Sequence, residues 1–212
     1  IKSNLEDKIY LITLLVVSIL LSILIVKNFS SNFLINTILI SSAFYLFFIT
    51  LRDFFIKGFK NLAQNTAHFG FSLLILSILF NSLFSSEIIT NLKVGQTFEN
   101  TKAKIVFESI SQKEAKNYRS IIGNFTVQDS KGKIENLSPE LRIYNQPNIT
   151  TSEADIKTTL LSDKFMVINI VQNQEFFNVR YQVKPFMLWI WISVILISFG
   201  GLMSFLKKGY EK

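Results

Sequence analysis

A single imidazole is the group in this chain best placed to do chemistry. His68 is the only histidine among 212 residues. It sits in Thr66-Ala67-His68-Phe69-Gly70-Phe71, just inside one end of a long apolar run, and charge does not return until Glu87. An ionisable group at membrane depth is costly unless the protein uses it, which makes it a functional-site candidate by default. Neutral imidazole is the commonest protein metal ligand and a frequent axial ligand of haem iron. The alternative reading is an interfacial or packing residue whose ring reaches water from near the segment end. Cysteine is absent, which removes disulfides, zinc–thiolate sites and any thiol relay within the chain.

The element that must position His68 is one of four apolar segments, roughly Ile9–Val26, Phe33–Leu51, Ala67–Phe84 and Phe186–Leu206. Crossing roughly 30 Å of hydrocarbon takes about 20 apolar residues in a helix, and each segment approaches that length. The expected fold is therefore an integral membrane α-helical protein with four transmembrane helices. A small β-rich extracytoplasmic domain is inserted between the third and fourth. The expected division is 1–66 (two helices and a basic loop), 67–84 (the helix bearing His68), 85–184 (the β-rich domain) and 185–212 (the last helix and a basic tail). The first apolar run lacks a small-residue cleavage site and leads straight into a second, unlike a signal peptide. Beginning at Ile1 without methionine, the sequence reads as a fragment or a split-gene product.

Basic residues near membrane ends set orientation. The loop after the second segment carries Arg52, Lys57 and Lys60 against Asp53, and the tail carries Lys207, Lys208 and Lys212 against Glu211. This predicts both termini on the cytoplasmic or matrix side and 85–184 on the periplasmic or intermembrane-space side. The formal charge of +7 is scattered rather than gathered into a nucleic-acid-binding motif, so no nucleic-acid partner is expected; the membrane partner is lipid.

Within 85–184, alternation predicts a strand at Phe177–Val183, the more continuous apolar run Phe165–Val171 reads as a buried strand, Lys104–Ile110 is another strand candidate, and a hairpin joins Ile122–Gln128 to Ile134–Leu137. About five to eight strands are expected. The Thr150/Glu153 spacing of a capping box predicts a helix over Ala154–Leu161. No catalytic constellation stands out: the domain has no histidine, no glycine-rich phosphate loop and no nucleophile elbow. Its acids, dispersed among lysines, read as a solvated face, so the domain is expected to bind or support a partner.

One ordered series is more particular. Leu137-Ser138-Pro139-Glu140-Leu141-Arg142-Ile143-Tyr144 is followed by Thr151-Ser152-Glu153-Ala154-Asp155-Ile156 and then Asp163-Lys164-Phe165-Met166-Val167. It resembles the C-terminal part of CcmF, the membrane haem lyase component of System I cytochrome c maturation. There a Pro-Glu-x-Arg-x-Tyr element precedes Thr-x-Glu-Ala-x-Ile and Asp-x-Tyr elements; Phe165 replaces that tyrosine. Ala67-His68-Phe69-Gly70 resembles the family's His-x-Gly element, and Lys184-Pro185-Phe186-Met187-Leu188-Trp189-Ile190-Trp191 with Gly200-Gly201 resembles its last helix.

The resemblance implies attachment of haem, received from a haem chaperone, to the cysteines of apocytochrome c. It also implies a membrane-embedded haem b between two histidines. His68 would be one axial ligand, with Gly70 on a different helix face allowing a neighbouring helix to pack closely. The supporting motif is Pro139, Glu140, Arg142, Tyr144, Thr151, Glu153, Ile156, Asp163, Trp189 and Trp191. The family's tryptophan-rich haem motif and its other histidines have no counterpart here, so the second ligand must come from another chain or an N-terminal portion of the same haem lyase. The chain alone is not expected to be an active enzyme. Further implied partners are apocytochrome c and its thiol-handling subunit, at a bacterial or mitochondrial inner membrane.

Plainer roles compete for individual residues. Trp189 and Trp191 fit an aromatic belt as well as a haem platform, and Glu140 with Arg142 fits an internal ion pair. Two other function classes stay open: a System II, ResB-like component with similar topology, and a non-enzymatic assembly or sensor protein with an outer β domain.

Overall fold

The computed structural model describes residues 2–29, 32–57, 61–171 and 175–210. The chain forms two compact units, one of helices and one spanning Ser85–Lys184. Lys60 and Lys212 lie outside the described residues, as do the side chains of Lys57, Lys207 and Lys208, on which the orientation argument leans.

Four helices make the first unit: α1 (Lys2–Phe29), α2 (Phe33–Lys57), α3 (Leu62–Phe84) and α4 (Met187–Tyr210). Each contains a stretch long and apolar enough to cross a membrane, Asp7–Asn28, Phe33–Ile56, Leu62–Phe84 and Met187–Leu206. Apolar side chains such as Leu24, Ile35, Ile195 and Phe205 point outward, while Ser18, Ser22, Ser72, Ser77 and Ser193 are buried. That inversion is what lipid demands. Helices in hydrocarbon gain nothing from hiding leucine from one another, so they associate through small residues and interhelical hydrogen bonds. Thr50 and Ser72 make such a bond between α2 and α3 at 2.6 Å.

The second unit is a sandwich of two antiparallel sheets. Its strands are β1 (Ser86–Leu92), β2 (Thr97–Glu99), β3 (Ala103–Glu114), β4 (Tyr118–Asp129), β5 (Ile134–Leu137), β6 (Glu140–Tyr144), β7 (Thr150–Glu153), β8 (Asp155–Thr158), β9 (Ser162–Ile170) and β10 (Phe177–Pro185). One sheet has the order β1-β10-β9-β8; the other runs β2-β3-β4-β6-β7, with β5 also paired to β4. Inward residues from both sheets, among them Ile88, Phe107, Phe125, Leu141, Met166, Ile168 and Val179, form one core. The rings of Phe107 and Phe125 stack at 4.2 Å. Gly123 makes room for them: a Cβ there would meet the Phe125 ring at 2.7 Å.

The helix expected over Ala154–Leu161 does not form. Residues 150–153 and 155–158 are strands β7 and β8, paired to β6 and β9. Cross-strand hydrogen bonding and a shared core outweigh a local capping signal, and the Glu153 side chain accepts from Thr151 Oγ1 in place of a capping box with Thr150. The expected hairpin of Ile122–Gln128 with Ile134–Leu137 is present as β4 and β5. The strands number ten among the described residues, more than expected, because β2, β7 and β8 are only three or four residues long. Runs that short show no clear alternation.

Candidate functional site

Helix α3 presents three faces, and the helical period separates them. On one, Ser72 bonds to Thr50, Phe69 packs against Phe47 and Phe54 with ring centroids 5.6 and 5.7 Å apart, and Asn65 Nδ2 donates to the Asp53 carbonyl at 3.2 Å. This is the α2 face. The second carries Ala63, Ala67 and Gly70 and meets α4. A Cβ on Gly70 would lie 2.9 Å from Leu196 Cβ and 3.0 Å from the Ile197 backbone nitrogen. One on Gly200 would lie 2.6 Å from the Ala67 nitrogen and 2.7 Å from the Ala63 carbonyl oxygen. The two helices thus meet backbone to backbone.

The third face is open. Gln64, His68, Phe71, Ile75, Ile78 and Ser82 recur at three- and four-residue intervals, so they share one stripe. All are exposed except Ile75, which is half-buried. His68 therefore faces away from both packed neighbours. The packing of α2 and α4 on the other two faces fixes its direction, so rotation of α3 about its axis is blocked. An imidazole held this way offers a ring nitrogen to something outside the four helices. Among the described residues no cluster of three or more His, Cys, Asp or Glu side chains is arranged to hold a metal ion. A ligand set at His68 needs a contribution from another polypeptide segment.

Trp189 and Trp191 lie in the first turn of α4. Trp189 is half-buried and its carbonyl accepts from Ser193 Oγ at 2.6 Å; Trp191 is exposed. Just before them Phe186 has φ +59°, unusual for a bulky residue. Phe80 packs on its ring at 5.2 Å and Asn81 Nδ2 donates to the Pro185 carbonyl at 2.6 Å, contacts that offset the backbone cost.

The remaining motif residues belong to the sandwich, where most come together. Glu140, Arg142 and Tyr144 alternate along β6, and register places Arg142 opposite Ser120 on β4 and Thr151 on β7. Arg142 pairs with Glu140, lies 4.0 Å from Glu153, and stacks over Tyr118 at 5.1 Å, while Tyr118 packs against Tyr144 at 5.4 Å. The Glu140 carboxylate raises the already high Arg142 pKa, against a small opposing effect of burial. The charge of Arg142 is compensated by two glutamates, and the cluster ties three strands together. Pro139 is buried and its carbonyl accepts from the Gly123 amide at 3.0 Å. Ile156 projects outward from edge strand β8. Asp163, on β9, has a buried carboxylate oxygen without a hydrogen-bond partner among the described residues.

A second charged group escaped the sequence reading. Lys164 is buried and its ammonium lies 3.0 Å from Glu135 and 3.5 Å from Asp129. Burial alone would raise the Asp129 carboxyl, but the Lys133 and Lys131 amides and Lys164 hold it below the usual range. Burial opposes ionisation of Glu135 too, and Lys133 and Lys164 prevail. Burial raises the Tyr181 hydroxyl, with Glu135 and Asp129 adding to it. The overlooked signal was parity: Lys164 alternates with core residues Met166 and Ile168.

Comparison with known proteins bears on both units. The family described as "CcmF C-terminal beta-sandwich" matches residues 83–185. The sandwich unit is thus similar to the CcmF C-terminal β-sandwich. Similarity extends past that domain. A cytochrome c-type biogenesis protein CcmF from Pseudomonas fluorescens is 28% identical over 161 residues, 74% of this chain and 24% of the relative. The cytochrome c-type biogenesis protein ccl1 of Rhodobacter capsulatus is 30% identical over 145 residues, 68% of this chain and 22% of its own. A solved structure of the cytochrome c haem lyase CcmF superposes with a TM-score of 0.66 at 15% identity, over 90% of this chain and 33% of that one. At that identity the match concerns the fold, and it includes helices as well as the sandwich. The chain spans about a quarter of the length of the curated CcmF relatives it matches.

Proposed function

We propose that this chain is the C-terminal portion of a haem lyase of System I cytochrome c maturation, and that His68 supplies one axial ligand of a membrane haem b. The observation that carries the reading is the open stripe on α3. A lone intramembrane imidazole points away from the rest of its own helical unit, in a chain whose sandwich is of the CcmF type. The residues fit the group. A neutral imidazole is a good iron ligand, and the packed α2 and α4 faces hold α3, and with it the ring, in one direction. Haem b supplies one-electron redox chemistry when bound. The chain's own contributions are orientation of the ligand through the Gly70 and Gly200 contacts, and an apolar neighbour, Phe71, that excludes water on one side.

On this reading the second ligand comes from polypeptide corresponding to the other three quarters of the relatives. The lyase reaction, which joins haem to apocytochrome c, is a property of that assembly. The helices lie in a bacterial or mitochondrial inner membrane, with 85–184 on the periplasmic or intermembrane-space side, within reach of a haem chaperone, apocytochrome c and its thiol-handling subunit. Gly70 acts through packing, and the Arg142 cluster holds the shape of the sandwich.

The test is spectroscopic. The chain is purified with its N-terminal counterpart and reduced-minus-oxidised spectra are recorded for the native complex and for His68→Ala. Loss of the b-type spectrum with the complex intact is the expected result. Stoichiometric b haem with an unchanged spectrum in His68→Ala would refute the assignment.

A further inference from the structure

The stripe that carries His68 is graded along its length. Gln64 lies four residues before the histidine, toward the start of α3, and Phe71 and Ile78 follow it; all four side chains are exposed on the same face. Gln64, His68 and Phe71 stand four and three residues apart, so they are neighbours on the helix, and Ile78 continues the same face further along. At about 1.5 Å per residue, Gln64 sits roughly 6 Å to one side of His68 along the axis, and Phe71 roughly 4.5 Å to the other. The stripe thus reads amide, imidazole, aromatic ring, aliphatic chain. The amide is a hydrogen-bond donor and acceptor, and the side chains beyond the imidazole are purely apolar.

A haem is graded in the same way, with two carboxylates on one edge and hydrocarbon on the opposite edge. Resting on the assignment of His68 as a ligand, we propose that this face sets the orientation of the macrocycle. The carboxylate edge lies toward the start of α3 beside Gln64, and the hydrocarbon edge lies against Phe71. The Gln64 amide donates a hydrogen bond to a propionate, and Phe71 covers apolar edge. The reverse orientation would place carboxylates against the Phe71 ring, leaving charged oxygens without donors, which is costly in a dry site. Gln64 is a positioning residue: it determines which way the haem lies, whereas His68 holds it.

The experiment uses the complex of this chain with its N-terminal counterpart. Resonance Raman spectra are compared for native protein, Gln64→Leu and Phe71→Leu, with haem per complex measured for each. Gln64→Leu is expected to retain haem and shift the propionate-bending band, and Phe71→Leu to leave that band in place. Gln64→Glu is the second variant, should the leucine form fail to assemble. A carboxylate there favours ferric iron and should lower the midpoint potential by at least threefold in the redox ratio, roughly 28 mV at about 59 mV per decade. A propionate band that responds to Phe71→Leu, or to neither substitution, overturns the proposed orientation, as does an unchanged potential in Gln64→Glu. Haem retained unchanged in His68→Ala overturns the underlying ligand assignment instead, so the two failures are distinguishable.

Discussion

Adjacent glycines in α4 make opposite predictions for the same substitution. Gly200 faces α3: a methyl group there would lie 2.6 Å from the Ala67 nitrogen, 2.7 Å from the Ala63 oxygen and 2.9 Å from Ala67 Cβ. Two of those atoms are backbone and cannot rotate away, so α4 must move off α3 or rotate. Overpacking of this kind typically costs about 1–3 kcal/mol. Gly201 has nothing within 4 Å of the corresponding position. Replacing glycine by alanine inside a helix gains up to about 1 kcal/mol, and less where the helix persists in the unfolded-in-membrane state. Gly200→Ala should therefore destabilise by about 1–2 kcal/mol net, while Gly201→Ala is neutral or mildly stabilising. Thermal unfolding of the full chain in detergent, followed by near-ultraviolet circular dichroism from Trp189 and Trp191, reads the difference. The order native ≤ Gly201→Ala and Gly200→Ala lowest is expected. Equal midpoints for the two variants would mean that α3 and α4 do not meet backbone to backbone, and the fixed direction of His68 would lose its basis.

Two further substitutions probe other links. Lys164→Met keeps much of the bulk but leaves Glu135 and Asp129 without their buried cation, a change that costs about 3 kcal/mol for well-buried pairs. It should lower the denaturation midpoint of the full chain, and an unaltered midpoint would contradict the pairing. The same carboxylates give a pH dependence. Their folded-state pKa values are depressed, so their contribution is fully present above the unfolded values near 4 and is lost as pH falls through the lower folded values. Acid titration of native protein should show stability falling below about pH 4, and the effect should be smaller in Lys164→Met. Thr50→Val removes the 2.6 Å bond to Ser72 between α2 and α3, worth about 0.6 kcal/mol on average in membrane helices. A loss above about 2 kcal/mol would show that the hydroxyl does more than bridge two helices.

Much of this was readable in the linear chain because the underlying signals are local. The length of an apolar run decides whether a helix crosses a bilayer, whatever it packs against, so α1 to α4 stand out directly. The solitude of His68 is a fact of composition, and the resemblance to CcmF rests on the order of the Pro139-Glu140-x-Arg142-x-Tyr144, Thr151-x-Glu153-Ala154-x-Ile156 and Asp163 elements. Alternation likewise disclosed β10, a continuous apolar run β9, and the turn at Asp129–Lys133 the hairpin of β4 and β5.

Where several chain segments compete or cooperate, the tertiary structure decided. Thr150 and Glu153 carry a helix-start signal, yet β6 and β9 offer them and their neighbours ladder partners and a core, and strand pairing wins. Lys164 looked like one more solvated lysine until the hairpin brought Asp129 and Glu135 to it. His68 shows the division most sharply. Its residue type and depth along the chain come from sequence, but an apolar helix with polar or small residues on several sides has no obvious interior face. Only the contacts of α2 with Asn65, Phe69 and Ser72, and of α4 with Ala63, Ala67 and Gly70, leave the Gln64–His68–Phe71 stripe open. A helix's rotation is set by what packs against it, and that is a property of pairs of segments, not of one.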